Sequence, residues 1–343
     1  MHDDRRFILV ALLGVFVANA SSAQPIPPIA LVEAPFGGVA SVAADFDGDG
    51  DNDFFAVGGG QAVLLRNDPN AEFGFEEIVL VDGFQGAPFS RNPVLRVSDL
   101  DGDGDMDVVG LDEINTNGGR QDGVLYWYEN LNTNPPSFDW AWISLEILYP
   151  KPLLLADLTG DGRDDVILSV DRTDDPTPGD PSPTQIVMFR NDLATTGGWS
   201  RLQITPEGGL SASSLATADF DGDGHVDLVG ASEDDRHIYW YRSSGGANPT
   251  FTPNFVWSST SLRPVAAADM DNDGDPDLLY GLRGSDTIAG VYWFENIGAA
   301  FEVSHLRFLG VTGGADSLAP VDFDGDGDRD IVYGNTFTGR TRV

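Results

Sequence analysis

Nine residues, written six times, limit what this chain can fold into. Residues 45–53 (DFDGDGDND), 99–107 (DLDGDGDMD), 157–165 (DLTGDGRDD), 219–227 (DFDGDGHVD), 269–277 (DMDNDGDPD) and 322–330 (DFDGDGDRD) recur at intervals of 50 to 62 residues. A period of that length is one supersecondary unit, so the chain beyond residue 40 is an array of similar units.

Comparing the copies assigns a task to each position. Positions 1, 5 and 9 are Asp in every copy, and position 3 is Asp in five and Thr159 in the third. Position 6 is always Gly, and position 4 is Gly or Asn272, the residues that enter the left-handed backbone region most easily. Position 2 is apolar throughout (Phe46, Leu100, Leu158, Phe220, Met270, Phe323) and is expected to pack beneath the loop. Position 7 varies freely, so its contribution is expected from the backbone carbonyl.

Such a pattern is the donor set of a hard cation. Calcium takes six to eight oxygens in a flexible shell, and carboxylates at positions 1, 3 and 5 with a carbonyl at 7 match the first half of an EF-hand loop. An EF-hand also needs a bidentate Glu at position 12, but here that place holds Ala56, Gly110, Leu168, Gly230, Tyr280 or Tyr333. The residues after position 9 are strand-like (Phe54-Phe55, Val108-Val109, Val166-Ile167, Leu228-Val229, Leu278-Leu279, Ile331-Val332), so the position-9 Asp must supply the fourth side chain. Magnesium, the rival metal, prefers a rigid octahedron that keeps several waters. Without a cation, four or five carboxylates in nine residues would repel one another; these loops hold 28 of the 55 acidic residues.

The rest of the composition narrows the class. A formal net charge of −36 is expected to repel nucleic acid and anionic membranes. Cysteine is absent, so neither disulfides nor thiolate metal sites hold this fold together. Residues 1–23 read as a signal peptide: Arg5 and Arg6, an apolar stretch over 7–17, then small residues ending at Ala23. The apolar stretch is too short to span a bilayer, so the expected location is extracellular or periplasmic, with no membrane insertion of the mature chain.

Each repeat divides into four short strands, the nine-residue loop joining the first to the second and an aromatic third strand coming next (VLYWYE at 124–129, HIYWYR at 237–242, VYWFE at 291–295). Evenly spaced strands with a repeated motif predict an all-β fold of radial sheets, a β-propeller of four-stranded blades. This arrangement, with the Trp-Tyr-Glu-Asn type ending at 127–130 and 293–296, resembles the FG-GAP and VCBS repeat families, including the calcium-bearing blades of the integrin α-subunit. The resemblance implies one propeller domain over 24–343, with about one Ca²⁺ per blade held by loop positions 1, 3, 5, 7 and 9. Carried onto this chain, the metal ligands are Asp45, Asp47, Asp49, Asp51 and Asp53; Asp99, Asp101, Asp103, Asp105 and Asp107; Asp157, Thr159, Asp161, Arg163 and Asp165. The later loops give Asp219, Asp221, Asp223, His225 and Asp227; Asp269, Asp271, Asp273, Asp275 and Asp277; Asp322, Asp324, Asp326, Asp328 and Asp330. Thr159 departs from the pattern, since a hydroxyl is a weaker ligand than a carboxylate.

Six blades are expected, with seven as the alternative, and residues 29–33 are expected to complete the last blade. Its third strand would be 339–343, unless the chain stops short of one. Family analogy points to a binding or adhesion module for glycans, matrix or an extracellular protein. The alternatives are a polysaccharide lyase-like enzyme and a purely structural repeat; no GxSxG, HExxH or P-loop motif occurs. Ligand contacts are expected in loops away from the cation sites, at Asp112 and Arg120, Asp174 and Asp175, and Asp234, Asp235 and Arg236. Trp140, Trp142, Trp199 and Trp257, which do not repeat regularly, are candidates for stacking on sugars.

Overall fold

A computed structural model describes residues 40–58, 61–71, 74–82, 93–115, 121–148, 150–170, 184–193, 198–206, 209–283, 289–309, 314–335 and 340–342. The segments read as signal peptide (1–23) and as a closing strand (29–33) lie outside the described residues. Two compact units divide the chain, Met1–Tyr149 and Pro150–Val343.

The first unit holds two antiparallel sheets whose strands follow chain order. One contains β1 (Ala40–Ala44), β2 (Asp53–Gly58), β3 (Gln61–Asn67) and β4 (Phe75–Asp82), the other β5 (Val94–Ser98), β6 (Asp107–Asn115), β7 (Gln121–Asn130) and β8 (Phe138–Leu148). In the second unit, the third sheet is β9 (Pro150–Ala156), β10 (Asp165–Val170), β11 (Gln185–Asn191) and β12 (Trp199–Gln203). The fourth is β13 (Ser214–Ala218), β14 (Asp227–Ser232), β15 (His237–Ser243) and β16 (Phe251–Ser258). The fifth is β17 (Leu262–Ala268), β18 (Asp277–Leu282), β19 (Gly290–Phe294) and β20 (Leu306–Phe308), and the sixth is β21 (Ser317–Val321), β22 (Asp330–Asn335) and β23 (Arg340–Arg342). The chain end therefore does supply the last sheet with a third strand.

Four-stranded meanders packed face to face are the blades of a β-propeller. A sheet buried on both faces needs apolar side chains on both, and β10, β14 and β18 are buried at every residue. Phe55, Leu64, Tyr126 and Tyr128 join the first two sheets. In the second unit, Met188 and Tyr241 belong to the core between sheets three and four, Trp240 and Tyr280 to that between four and five, and Trp293 and Tyr333 to that between five and six.

Position 2 shows how neighbouring sheets cover each loop. Phe46 packs against Phe138 of the next sheet (centroids 5.7 Å apart) and Phe220 against Phe301, in the connection between β19 and β20 of the next (5.4 Å). Phe323 departs from the expectation at 63% exposure, because among the described residues no sheet comes after the sixth in its unit. No helix among the described residues is long and apolar enough to cross a membrane.

Candidate metal centre

In every repeat the nine-residue loop joins the first strand of its sheet to the second, and position 9 is the second strand's first residue. The turn is tight because positions 4 and 6 take positive φ, +74° and +93° at Gly48 and Gly50, with Asn272 at +59° where Gly is replaced. That path aims loop N–H groups at the position-1 carboxylate. Asp45 accepts from Gly48 (2.8 Å), Asp49 (3.1 Å) and Gly50 (2.9 Å), and Asp157 from Gly160, Asp161 and Gly162 at 2.7 to 3.1 Å.

The position-9 Asp has a different role. Its Oδ2 accepts the N–H of position 2, seven residues back: Phe46, Leu100, Leu158, Phe220, Met270 and Phe323, at 2.9 to 3.3 Å. In five sheets its Oδ1 accepts a second N–H just beyond the aromatic run, from Asn67, Asn130, Asn191, Ser243 or Asn296, at 2.7 to 2.8 Å. One carboxylate, on the second strand's first residue, thus clasps the loop that follows the first strand to the end of the third. Trp240 adds its Nε1 to Asp227 at 2.9 Å. Trp127 and Trp293 stand at the equivalent places, near Asp107 and Asp277, where each indole N–H pulls slightly against the burial that raises the acid but makes no well-formed hydrogen bond.

The same Asn residues also join sheets. Asn130 Nδ2 donates to the Phe46 carbonyl and Asn296 Nδ2 to the Phe220 carbonyl, each at 2.8 Å and each reaching the preceding sheet's loop. In the sequence this Asn shows only as a family ending, with no work assigned to it. Its recurrence at 67, 130, 191 and 296 is the signal that marks it.

Carboxylate oxygens gather where a cation would sit. Positions 1, 3 and 9 place one oxygen each within 4.8 Å of the others in loops one, two, four and six, as do Asp269, Asp271 and Asp273 in loop five. The third loop, where Thr159 replaces the Asp, shows no such group. Both oxygens of Asp105 are buried without a hydrogen-bond donor, and the buried Asp221 carboxylate has the Arg242 guanidinium against its Oδ2. Buried acids crowded this closely, with so little positive charge beside them, suit a hard divalent ion, which supplies the missing charge.

The loops differ in charge. Arg242 ion-pairs with Asp221 and reaches Asp223 at 3.2 Å, and Arg66 lies 3.8 Å from Asp47. At the equivalent place beside loop two stands Glu129, whose pKa is raised by burial and then by Asp101.

The position-9 acids also respond to pH. Burial raises Asp53 and Asp277 to about 6 and Asp107 and Asp165 to about 7, against the pull of their N–H donors. A carboxylate raised in the fold contributes stability below its unfolded value, near 4, and loses it as pH rises through 6 to 7. Metal-free protein is therefore expected to melt higher at pH 5 than at pH 8. A bound cation requires the ionised form, so in excess calcium the order should reverse; melting curves at both pH values, with and without chelator, check this.

Of the expected ligand-loop residues, Asp112, Asp234, Asp235 and Arg236 lie among the described residues. Asp112 is corrected: it lies within β6, buried, opposite Val124, because β6 and β7 extend further than the sequence pattern indicates and only 116–120 separate them. Arg120, Asp174 and Asp175 lie outside the described residues. Asp234, Asp235 and Arg236 form an exposed turn between β14 and β15, with Arg236 at φ +60°. Asp235 has structural work there, accepting from Ser232 Oγ (3.0 Å) and Ser211 N (3.3 Å).

A family model described as FG-GAP-like repeat matches residues 45–110, 99–168 and 219–280, together more than half of the chain. No curated protein matches by sequence. Among solved structures, an Agrocybe aegerita lectin, described as specifically recognising non-reducing terminal N-acetylglucosamine, is similar at a TM-score of 0.59 and 18% identity, over 90% of this chain and 79% of that one. BBS1N in complex with ARL6DN, soaked with lead, aligns at a TM-score of 0.49 and 12% identity, over 90% and 78%.

Proposed function

Because the chain belongs to the FG-GAP-like repeat family, we propose that it is an exported, calcium-stabilised β-propeller whose work is to bind glycans. The observation that carries this reading is the repeated loop, in which three carboxylate oxygens converge within 4.8 Å in five of six copies. The ligands are those named from the sequence, positions 1, 3, 5, 7 and 9, with the third loop the weakest. The six sheets are read as six blades of one domain over 24–343, and the residues ahead of 24 as its export signal.

Calcium's part is mechanical. By joining the first and second strands of each blade, it fixes the scaffold on which the opposite turns, such as 233–236, are displayed. The lectin resemblance supports a glycan rather than a protein ligand. The charge of −36 favours neutral sugars over anionic polysaccharides.

A glycan and matrix array tests the reading. The protein in millimolar calcium is expected to bind a neutral glycan, to lose it on chelation and to regain it when calcium returns. Binding only to matrix proteins would overturn the glycan assignment, and binding indifferent to chelation would overturn the role given to calcium.

A further inference from the structure

Across each of five sheets, the residue three places after the loop's last Asp begins a row of cross-strand partners. The rows are Ala56–Val63–Val79, Gly110–Tyr126–Trp142, Leu168–Val187–Gln203, Gly230–Tyr239–Phe255 and Tyr280–Tyr292–Phe308. In sheets two, four and five the row ends in two aromatic rings, and the outer one is open to solvent. Trp142, Phe255 and Phe308 are 37%, 58% and 50% exposed. Each lies against its inner Tyr, at centroid distances of 6.3, 5.8 and 5.0 Å.

The inner partner holds the outer ring in place. The Tyr126 ring lies so close over Gly110 that a Cβ there would come within 1.9 Å of it. In sheet five, Tyr280 and Tyr292 stack at 5.0 Å and 10°. In sheet four, His237 touches both rings, 5.9 Å from Tyr239 and 5.7 Å from Phe255, and is the first residue after the exposed turn.

We propose that Trp142, Phe255 and Phe308 are sugar-stacking platforms, one per sheet, for the pyranose rings of a neutral glycan. The inference rests on the glycan reading above and gives it a place. A pyranose offers an apolar face of C–H groups to an aromatic ring while its hydroxyls stay in water, so a half-exposed, rigidly backed ring suits it. Sheet two exposes Trp142 with Trp140 beside it, 5.2 Å away, and sheets four and five a single ring each, so no one sheet offers the contiguous patch of about 1,000 Å² that a stable protein partner needs. A ligand that itself repeats can use them singly and gain from several at once. The net charge of −36 disfavours uronate- or sulfate-bearing chains.

The test uses the full chain in calcium, with tetraoses of N-acetylglucosamine, mannose and cellulose as probes and polygalacturonate as the anionic control. Trp142→Ala, Phe255→Ala and Phe308→Ala together are expected to weaken binding of a neutral tetraose at least tenfold. Trp142→Phe should retain it, and the melting temperature should fall by only a few degrees. Tryptophan fluorescence should change on binding in the wild type and less so in Trp142→Phe. If the triple variant binds a tetraose as the wild type does, while Asp234→Ala or Arg236→Ala abolishes binding, the platforms are wrong and the glycan reading stands. If only polygalacturonate binds, or no saccharide does, both fall.

Discussion

Removing calcium is expected to lower the melting temperature by on the order of 10 °C or more, the largest effect anticipated for this protein. A cation bound only by the folded chain adds about 2.7 kcal/mol per site when held at a hundred times its Kd, and several loops contribute. Melting in millimolar calcium and in EDTA measures the shift. An unmoved midpoint would remove calcium from the account of stability. Metal content per chain resolves the loop itself: Asp221→Ala is expected to cost one ion, because Asp221 supplies one of the three carboxylate oxygens that converge in the fourth loop. His225→Ala should cost none, since the imidazole packs over Gly245 and only the residue's carbonyl is assigned to the ion.

Asp227→Ala is expected to destabilise the protein by about 3 to 5 kcal/mol even in EDTA, which separates the clasp from the metal. The substitution leaves the N–H groups of Phe220 and Ser243 and the Trp240 indole without their acceptor, and each buried donor so abandoned costs about 1 to 3 kcal/mol. Asp227→Asn keeps one acceptor oxygen but turns an NH₂ toward donors, so an intermediate loss is expected. Urea unfolding of the three proteins in chelator gives the values. An alanine variant as stable as the wild type would mean that the clasp contributes little.

Comparing six copies with one another exposes the chemistry of the loop because each copy repeats the experiment. Variation at position 7 and constancy at 1, 5 and 9 separate side chain from backbone on sequence grounds alone. The left-handed positions are legible from Gly and from the single Asn272. What the copies do not show is how one constant Asp is shared between tasks. Position 9 reads as a metal ligand, but its strongest partners are backbone N–H groups, which carry no sequence signature. The Asn latch is visible as recurrence, yet its acceptor is a main-chain carbonyl 76 or 84 residues away. Asp112 is misplaced for a related reason: a polar residue in a strand that outlasts its apolar run looks the same as the start of a turn. Trp142 stands out in the sequence as an irregular tryptophan, but its kinship with Phe255 and Phe308 does not, because the three differ in type and spacing and become equivalent only through register.

The clasp also bears on how such a chain assembles. Its two bonds reach back 7 residues to the loop and forward only 14 to 26 to the third strand, and every partner lies within the same repeat. Closing loops that short costs little chain entropy, and contacts of short range form early. A sheet can therefore lock its first three strands as soon as its own repeat is available, before the next one exists. A polypeptide delivered from its N-terminus then adds finished pieces to a growing stack, and the long-range step left to last is the docking of sheet on sheet.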